Sequence, residues 1–227
     1  MPRIARVVAL NLPHHITQRG NYGQTVFYGD ADITYYLALL REYSFREKVS
    51  FLAYCLMPNH VHFIGIPANE NSLSRTFNAV HMKYARYINQ KNKVRGHLWQ
   101  GRYFSCVLDQ RHVCAAARYI ERNPVRARLA DAPCAWKWSS AAYHCGSAQE
   151  SAVPLEELSA YTDVDQAAWR CFIEEEDTNT EIADLRARTL TGRPHGDAQF
   201  IEQIEHQSGR KLTTPKMGRP LKVQKKW

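Results

Sequence analysis

The chain lacks the marks of a secreted, membrane-spanning or zinc-stapled protein. Its six cysteines, Cys55, Cys106, Cys114, Cys134, Cys145 and Cys171, are scattered without a C-x-x-C pair. That argues against a disulfide framework or a zinc knuckle and leaves reduced thiols. No apolar run approaches the length of a bilayer span. The opening Met1-Pro2-Arg3-Ile4-Ala5-Arg6-Val7-Val8 has no sustained apolar core and no secretory cleavage pattern. The expectation is a cytoplasmic protein with no membrane partner. Acidic residues are sparse over the first two thirds, where residues 1–149 hold 8 Asp and Glu against 19 Lys and Arg.

The acid that is present is concentrated. Residues 150–184 hold 11 acidic against 1 basic residue, and residues 185–227 hold 10 basic against 3 acidic. A basic body, an acidic belt and a basic tail point to a polyanionic partner such as nucleic acid. An ordinary basic surface with one solvated acidic helix is the plainer account of the same charges.

Periodicity predicts a strand over residues 6–19, a turn at Gly20-Asn21-Tyr22-Gly23, and a helix capped by Asp30 and running to Lys48. Strands follow over 51–57 and 60–66, turned by Pro58-Asn59. Ser72 is the expected cap of a helix carrying Leu73, Phe77, Val80, Tyr84, Tyr87 and Ile88, and a basic loop spans 89–96. A strand over 103–108 leads to a helix capped by Asp109, which must weaken at Asn123 because Pro124 follows. The order β-α-β-β-α-β is that of a ferredoxin-like α+β fold, an antiparallel sheet with helices on one face.

Within this frame His60-Val61-His62 stands out. Histidines two apart on a strand face the same way, which makes a half-site for a divalent metal. From the residues alone, two polar side chains on an uncovered sheet face would look the same. Tyr119 and Asn123, in Tyr119-Ile120-Glu121-Arg122-Asn123-Pro124-Val125-Arg126-Ala127, lie one helical turn apart on one face. A phenol beside a metal that also binds a phosphate makes covalent nicking of DNA chemically available. A half-buried helix tyrosine is the structural alternative.

The ordered set Pro13-His14-His15-Ile16-Thr17-Gln18-Arg19-Gly20-Asn21, Met57-Pro58-Asn59-His60-Val61-His62, Trp99-Gln100-Gly101-Arg102-Tyr103, Tyr119 to Ala127 and Trp138-Ser139-Ser140 resembles the REP-associated tyrosine transposases. These belong to the single-tyrosine HUH superfamily of insertion-sequence transposases. The resemblance spans about residues 3–145. It implies a ferredoxin-like HUH core and a divalent metal, Mg²⁺ or Mn²⁺. It also implies cleavage and strand transfer on hairpin-bearing single-stranded DNA through a 5′-phosphotyrosine. His60 and His62 match the ligand pair and Tyr119 the nucleophile. Asn123 stands where related enzymes carry a Gln ligand one turn after the tyrosine, one methylene shorter. Tyr87 shares Ala-Arg-Tyr-Ile with Tyr119, but its i+4 residue is Lys91 and no Asn-Pro follows.

DNA contacts are expected from Gln18, Arg19 and Asn21 as base readers and from Trp99, Gln100 and Arg102 as stacking and donor groups, with core packing the alternative for Trp99. Lys83, Arg86, Arg118 and Arg122 are further candidates, with Lys91, Lys93 and Arg95 able to track phosphates. Arg219, within Gly218-Arg219-Pro220, looks like a minor-groove arginine in a basic tail. The domain expectation is a nickase unit over 1–145, an acidic helical extension over 146–190 and a basic, partly disordered tail over 191–227. The resemblance favours a monomer, with the dimer of insertion-sequence relatives as the other form. Two alternatives stay open: a DNA-binding protein derived from such an enzyme that no longer cuts, and a metal-dependent hydrolase of a small phosphoester. The charge balance and the want of a carboxylate-rich cluster oppose the second.

Overall fold

A computed structural model describes residues 5–162, 164–176 and 178–213. Four strands, β1 (His14–Arg19), β2 (Val49–Met57), β3 (His60–Pro67) and β4 (Phe104–Val107), form one sheet in the order β2-β3-β1-β4. Every pairing is antiparallel. With α1 (Asp30–Glu47) between β1 and β2, and α2 (Ser72–Lys91) between β3 and β4, this is the ferredoxin-like arrangement that the element order predicts.

The first strand is shorter than its hydrophobic pattern suggests. It begins only at His14, because Pro13 has no N–H to give the ladder and Asn11 turns the chain with φ 57°. The helix caps are also displaced. Gly29 rather than Asp30 precedes α1, and Asn71 rather than Ser72 precedes α2. Asp109 does cap α3 (Gln110–Glu121), accepting from the His112 N–H at 2.8 Å. Pro124 then sits in the first positions of the single turn α4 (Asn123–Arg126), where its missing N–H costs nothing, so the chain stays helical in sense past Tyr119.

Strand alternation divides the side chains between two cores. Ile16, Tyr54, Leu56, Val61 and Phe63 bury against α1 and α2, with Tyr36, Phe77 and Tyr84. Cys55, Met57, Ile64, Ile66 and Cys106 face the other way. The expectation of helices on one face is corrected here, because this second face is covered too. Its cover consists of α3, α5 (Ala141–His144), α6 (Gln166–Glu174) and α7 (Asn179–Thr191), through Val113, Ile120, Trp169, Ile173 and Leu185. Beyond α7, α8 (Ala198–Ser208) buries Ile204 with Leu212 against Val7, Ala9 and Val107. The acidic belt and the start of the basic tail therefore share buried surface with the sheet. Among the described residues no helix is long and apolar enough to cross a membrane.

Glu121 ties three of these helices together. It is fully buried, and its carboxylate accepts from Ser140 Oγ, from His144 Nδ1 at 2.6 Å and from Trp169 Nε1 at 3.0 Å. A buried carboxylate without such partners would be strongly destabilising. Sited two residues after Tyr119, it fixes the helix that carries the tyrosine.

Candidate metal centre and nucleophile

The register aligns His62 with Thr17 and Cys55, and His60 with Arg19 and Met57. Directly paired residues share a face, so both histidines point to the side covered by α3 and α7. Their ring centroids are 5.0 Å apart. Tyr119 projects from α3 to meet them, its ring 5.6 Å from His62 and 5.9 Å from His15, each edge to face. A cavity of about 540 Å³ opens between these groups, and Asn123, Arg126 and Arg186 also line it. His60, His62, Tyr119 and Asn123, well separated in the chain, thus meet in one place.

Each histidine spends its Nδ1 on the protein. His60 Nδ1 bonds Asn59 Oδ1 at 2.6 Å, and His62 Nδ1 bonds His15 Nε2 at 3.0 Å. This leaves both Nε2 atoms for another partner. An imidazole held by one nitrogen and open at the other is the usual state of a metal ligand. Burial, with Arg19, Arg186 and Arg126 nearby, lowers the pKa of His60 to about 4. Burial lowers His62 well below the usual value, reinforced by His60 and His15. Both rings are therefore neutral near pH 7, as ligation requires.

Asn123 is 6% exposed, and its buried amide Nδ2 has no hydrogen-bond partner among the described residues. Amide nitrogen and oxygen are interchangeable by a flip, so the orphan edge can present an oxygen to a cation. Two imidazoles and an amide, with room left in the cavity, suit Mn²⁺ or Mg²⁺ completed by phosphate and water. Among the described residues no group of three or more His, Cys, Asp or Glu side chains is placed to hold a metal. The fit thus rests on the amide as third donor.

The tyrosine is enclosed by arginine. Arg186 Nε donates to Tyr119 Oη at 3.1 Å, and the Arg126 guanidinium lies 4.3 Å from the ring centroid while bonding the Tyr119 carbonyl. With Arg19 also at the cavity wall, three arginines line the same space.

The expected DNA contacts divide sharply. Arg19 and Gln100 line the cavity, and Arg102 is exposed. Asn21 is half-buried, in the turn just after β1. Gln18 is instead buried, its Nε2 donating to the Gly101 carbonyl at 2.8 Å. Trp99 lies in the core rather than at a stacking surface, 4.7 Å from the His81 ring, with Nε1 donating to the His81 carbonyl. Arg118 is buried against Phe172 and paired with Glu175 and Glu181 of the acidic belt. Arg122 donates to the Ile173 and Glu174 carbonyls, both at 2.7 Å, closing the end of α6. These four brace the fold because their polar atoms are already committed inside it. Lys83 and Arg86 are exposed on α2, whose core lies on the opposite face of the sheet from the cavity, as does the rival Tyr87, which donates to Asp32 at 3.0 Å. Arg219 lies outside the described residues.

Four residues of the site were not anticipated: His15, Arg126, Arg186 and Thr189. His15 alternates with Thr17 and Arg19 on one face of β1, a signal available in the sequence. Arg186, Thr189 and Leu190 share a helix face by their i, i+3, i+4 spacing, but no motif marks that segment.

Comparison with known proteins supplies a family and a fold. A family model described as "Transposase IS200 like" matches residues 9–123. The structure of a REP-associated tyrosine transposase bound to a REP hairpin superposes with a TM-score of 0.56. It is 13% identical and covers 70% of this chain and 93% of its own. A protein of Deinococcus radiodurans R1 assigned as a transposase is 18% identical and covers 53% of this chain and 96% of its own. It superposes with a TM-score of 0.38. No curated protein matches the chain.

Proposed function

This chain belongs to the IS200-like transposase family, and from that premise we propose that it nicks and rejoins hairpin-bearing single-stranded DNA through Tyr119. The observation that carries the reading is the shared cavity of Tyr119, His60, His62 and Asn123. His60 Nε2, His62 Nε2 and the Asn123 amide are the groups that would hold a divalent ion. When bound, such an ion withdraws charge from a phosphate oxygen and orients the phosphorus.

The remaining steps belong to the protein. Arg19, Arg126 and Arg186 supply positive charge at the cavity wall for the scissile phosphate. Tyr119 Oη forms the new bond to phosphorus as the bond to the 3′ oxygen breaks. The DNA is left with a 3′ hydroxyl, and its 5′ phosphate stays on the tyrosine. The ester keeps the bond energy, so attack by a 3′ hydroxyl reverses the step without ATP. Tyr119 is only 4% exposed, so the scissile phosphate must bend in to reach it, which favours a hairpin with a flexible single-stranded foot over a stiff duplex. That choice is in keeping with the REP hairpin held by the structural neighbour.

The experiment is a labelled hairpin with a single-stranded foot, incubated with the full chain and Mn²⁺ and run on a denaturing gel. A covalent protein–DNA band that is absent with the duplex is expected. Hairpin binding without any adduct would overturn the reading in favour of a non-cleaving DNA-binding protein.

A further inference from the structure

The histidine pair does not end at His62. His62 Nδ1 meets His15 Nε2 at 3.0 Å, and His15 Nδ1 meets Thr189 Oγ1 at 2.7 Å. Thr189 Oγ1 in turn lies 2.7 Å from the Leu185 carbonyl oxygen of its own helix. All three side chains are at most 5% exposed. This row runs from the extension helix α7, across β1, to β3, and all three of its residues line the cavity beside Tyr119.

Its hydrogens can be ordered from one end. A carbonyl has no proton to give, so the short contact to Leu185 must be filled by the Thr189 hydroxyl hydrogen. A hydroxyl has only one. Thr189 therefore accepts from His15, whose Nδ1 carries the proton. A neutral His15 with its proton on Nδ1 has a lone pair on Nε2, so His62 must donate from Nδ1. The lone pair of His62 then lies on Nε2.

Resting on the metal-centre reading above, we propose that Thr189 and His15 are positioning residues that preset the tautomer of His62 for ligation. Both line the cavity, but the ring nitrogens of His15 and the hydroxyl of Thr189 are already engaged with His62, each other and Leu185. Both act through His62, in the way that outer hydrogen bonds orient metal-bound imidazoles. His60 obtains the same tautomer from Asn59 Oδ1 more directly, since that bond is local. The longer relay puts one ligand of the site under the control of a helix outside the family-matched segment 9–123.

Long-range proton–nitrogen spectra of the histidine-labelled, metal-free full chain test this, with His15 and His62 assigned by single substitution. The expected result is a proton on Nδ1 of both rings. Thr189→Val should remove the bias and give His62 mixed or Nε2-protonated signals. It should also weaken Mn²⁺ binding by about 10- to 100-fold in a calorimetric titration. Thr189→Ser, which keeps the hydroxyl, should restore both. A wild-type His62 protonated on Nε2 would overturn the proposal without any variant. So would a Thr189→Val protein whose His62 tautomer is unchanged. Wild-type protein that takes up no Mn²⁺ while His62 is protonated on Nδ1 would sink the metal-centre reading and leave the relay standing.

Discussion

At the scale of single residues, the proposed reaction rests on Tyr119 and Arg186. Tyr119→Phe keeps the ring that Arg126 covers and removes only the attacking oxygen. Hairpin binding should stay within about threefold in a filter assay, while adduct formation should fall below detection. Retained cleavage would disqualify Tyr119. Arg186 is the donor to that oxygen, at 3.1 Å. Arg186→Leu should slow adduct formation by about 10²-fold, the usual loss when one preorganised donor to a reacting oxygen is removed. A faster reaction in single-turnover measurements would mean that Arg186 restrains the tyrosine instead.

At the scale of elements, α3 is the part whose placement everything else needs, and Glu121 is its anchor. Glu121→Leu strands the donors of Ser140, His144 and Trp169 in the core. It should lower unfolding stability by about 3–5 kcal/mol, read as a fall in urea midpoint. An unchanged midpoint would show that the network is dispensable.

This scale is also where sequence legibility divides. The succession of strands and helices, the Asp109 cap and the shared face of His60 and His62 are readable, because each depends on spacing or on a neighbour within four residues. Trp99 and Arg122 were not. A tryptophan beside Gln100 and Arg102 looks the same whether it faces DNA or His81. The partners of Arg122 lie 51 and 52 positions downstream, in the acidic belt. Thr189 and Arg186 went unseen for a similar reason. Their contacts, to His15 and Tyr119, span 174 and 67 positions, and nothing local announces such closure.

Taken as a whole molecule, the chain hides many of its histidines. His14 is fully buried, with Nε2 accepting from the Ala9 N–H and Nδ1 bonded to the Leu12 carbonyl. Burial lowers its pKa to about 4, and that of His81, bonded to the Tyr36 hydroxyl, to about 3. Unfolded, each titrates near 6.5. Below that value the unfolded chain binds more protons than the folded one, so stability rises with pH in this window. It is fully present above about pH 6.5 and lost on acidification towards pH 4, at about 1.4 kcal/mol per pH unit per histidine. Urea midpoints should therefore fall steeply between pH 7 and pH 5, and equal midpoints would contradict the burial of these rings. The charge of the whole chain makes a second expectation. Ending it after Thr213 removes Lys216, Arg219, Lys222, Lys225 and Lys226. If these touch DNA, the log–log salt slope for the hairpin should flatten by up to about 3.5, at about 0.7 per phosphate. An unchanged slope would exclude the tail from the interface.

The cavity that joins His60, His62 and Asn123 to Tyr119 is built entirely within one polypeptide, with α3 clamped by Glu121. If Tyr119 serves the site of its own chain, as the proposed reaction has it, the rate law is unimolecular once DNA is bound. At saturating hairpin, turnover per molecule should then be the same at nanomolar and micromolar protein, and a fully diluted sample should lose none of it. Mixing Tyr119→Phe protein with His60→Ala, His62→Ala protein should likewise regenerate nothing, because neither copy can lend the other its missing half.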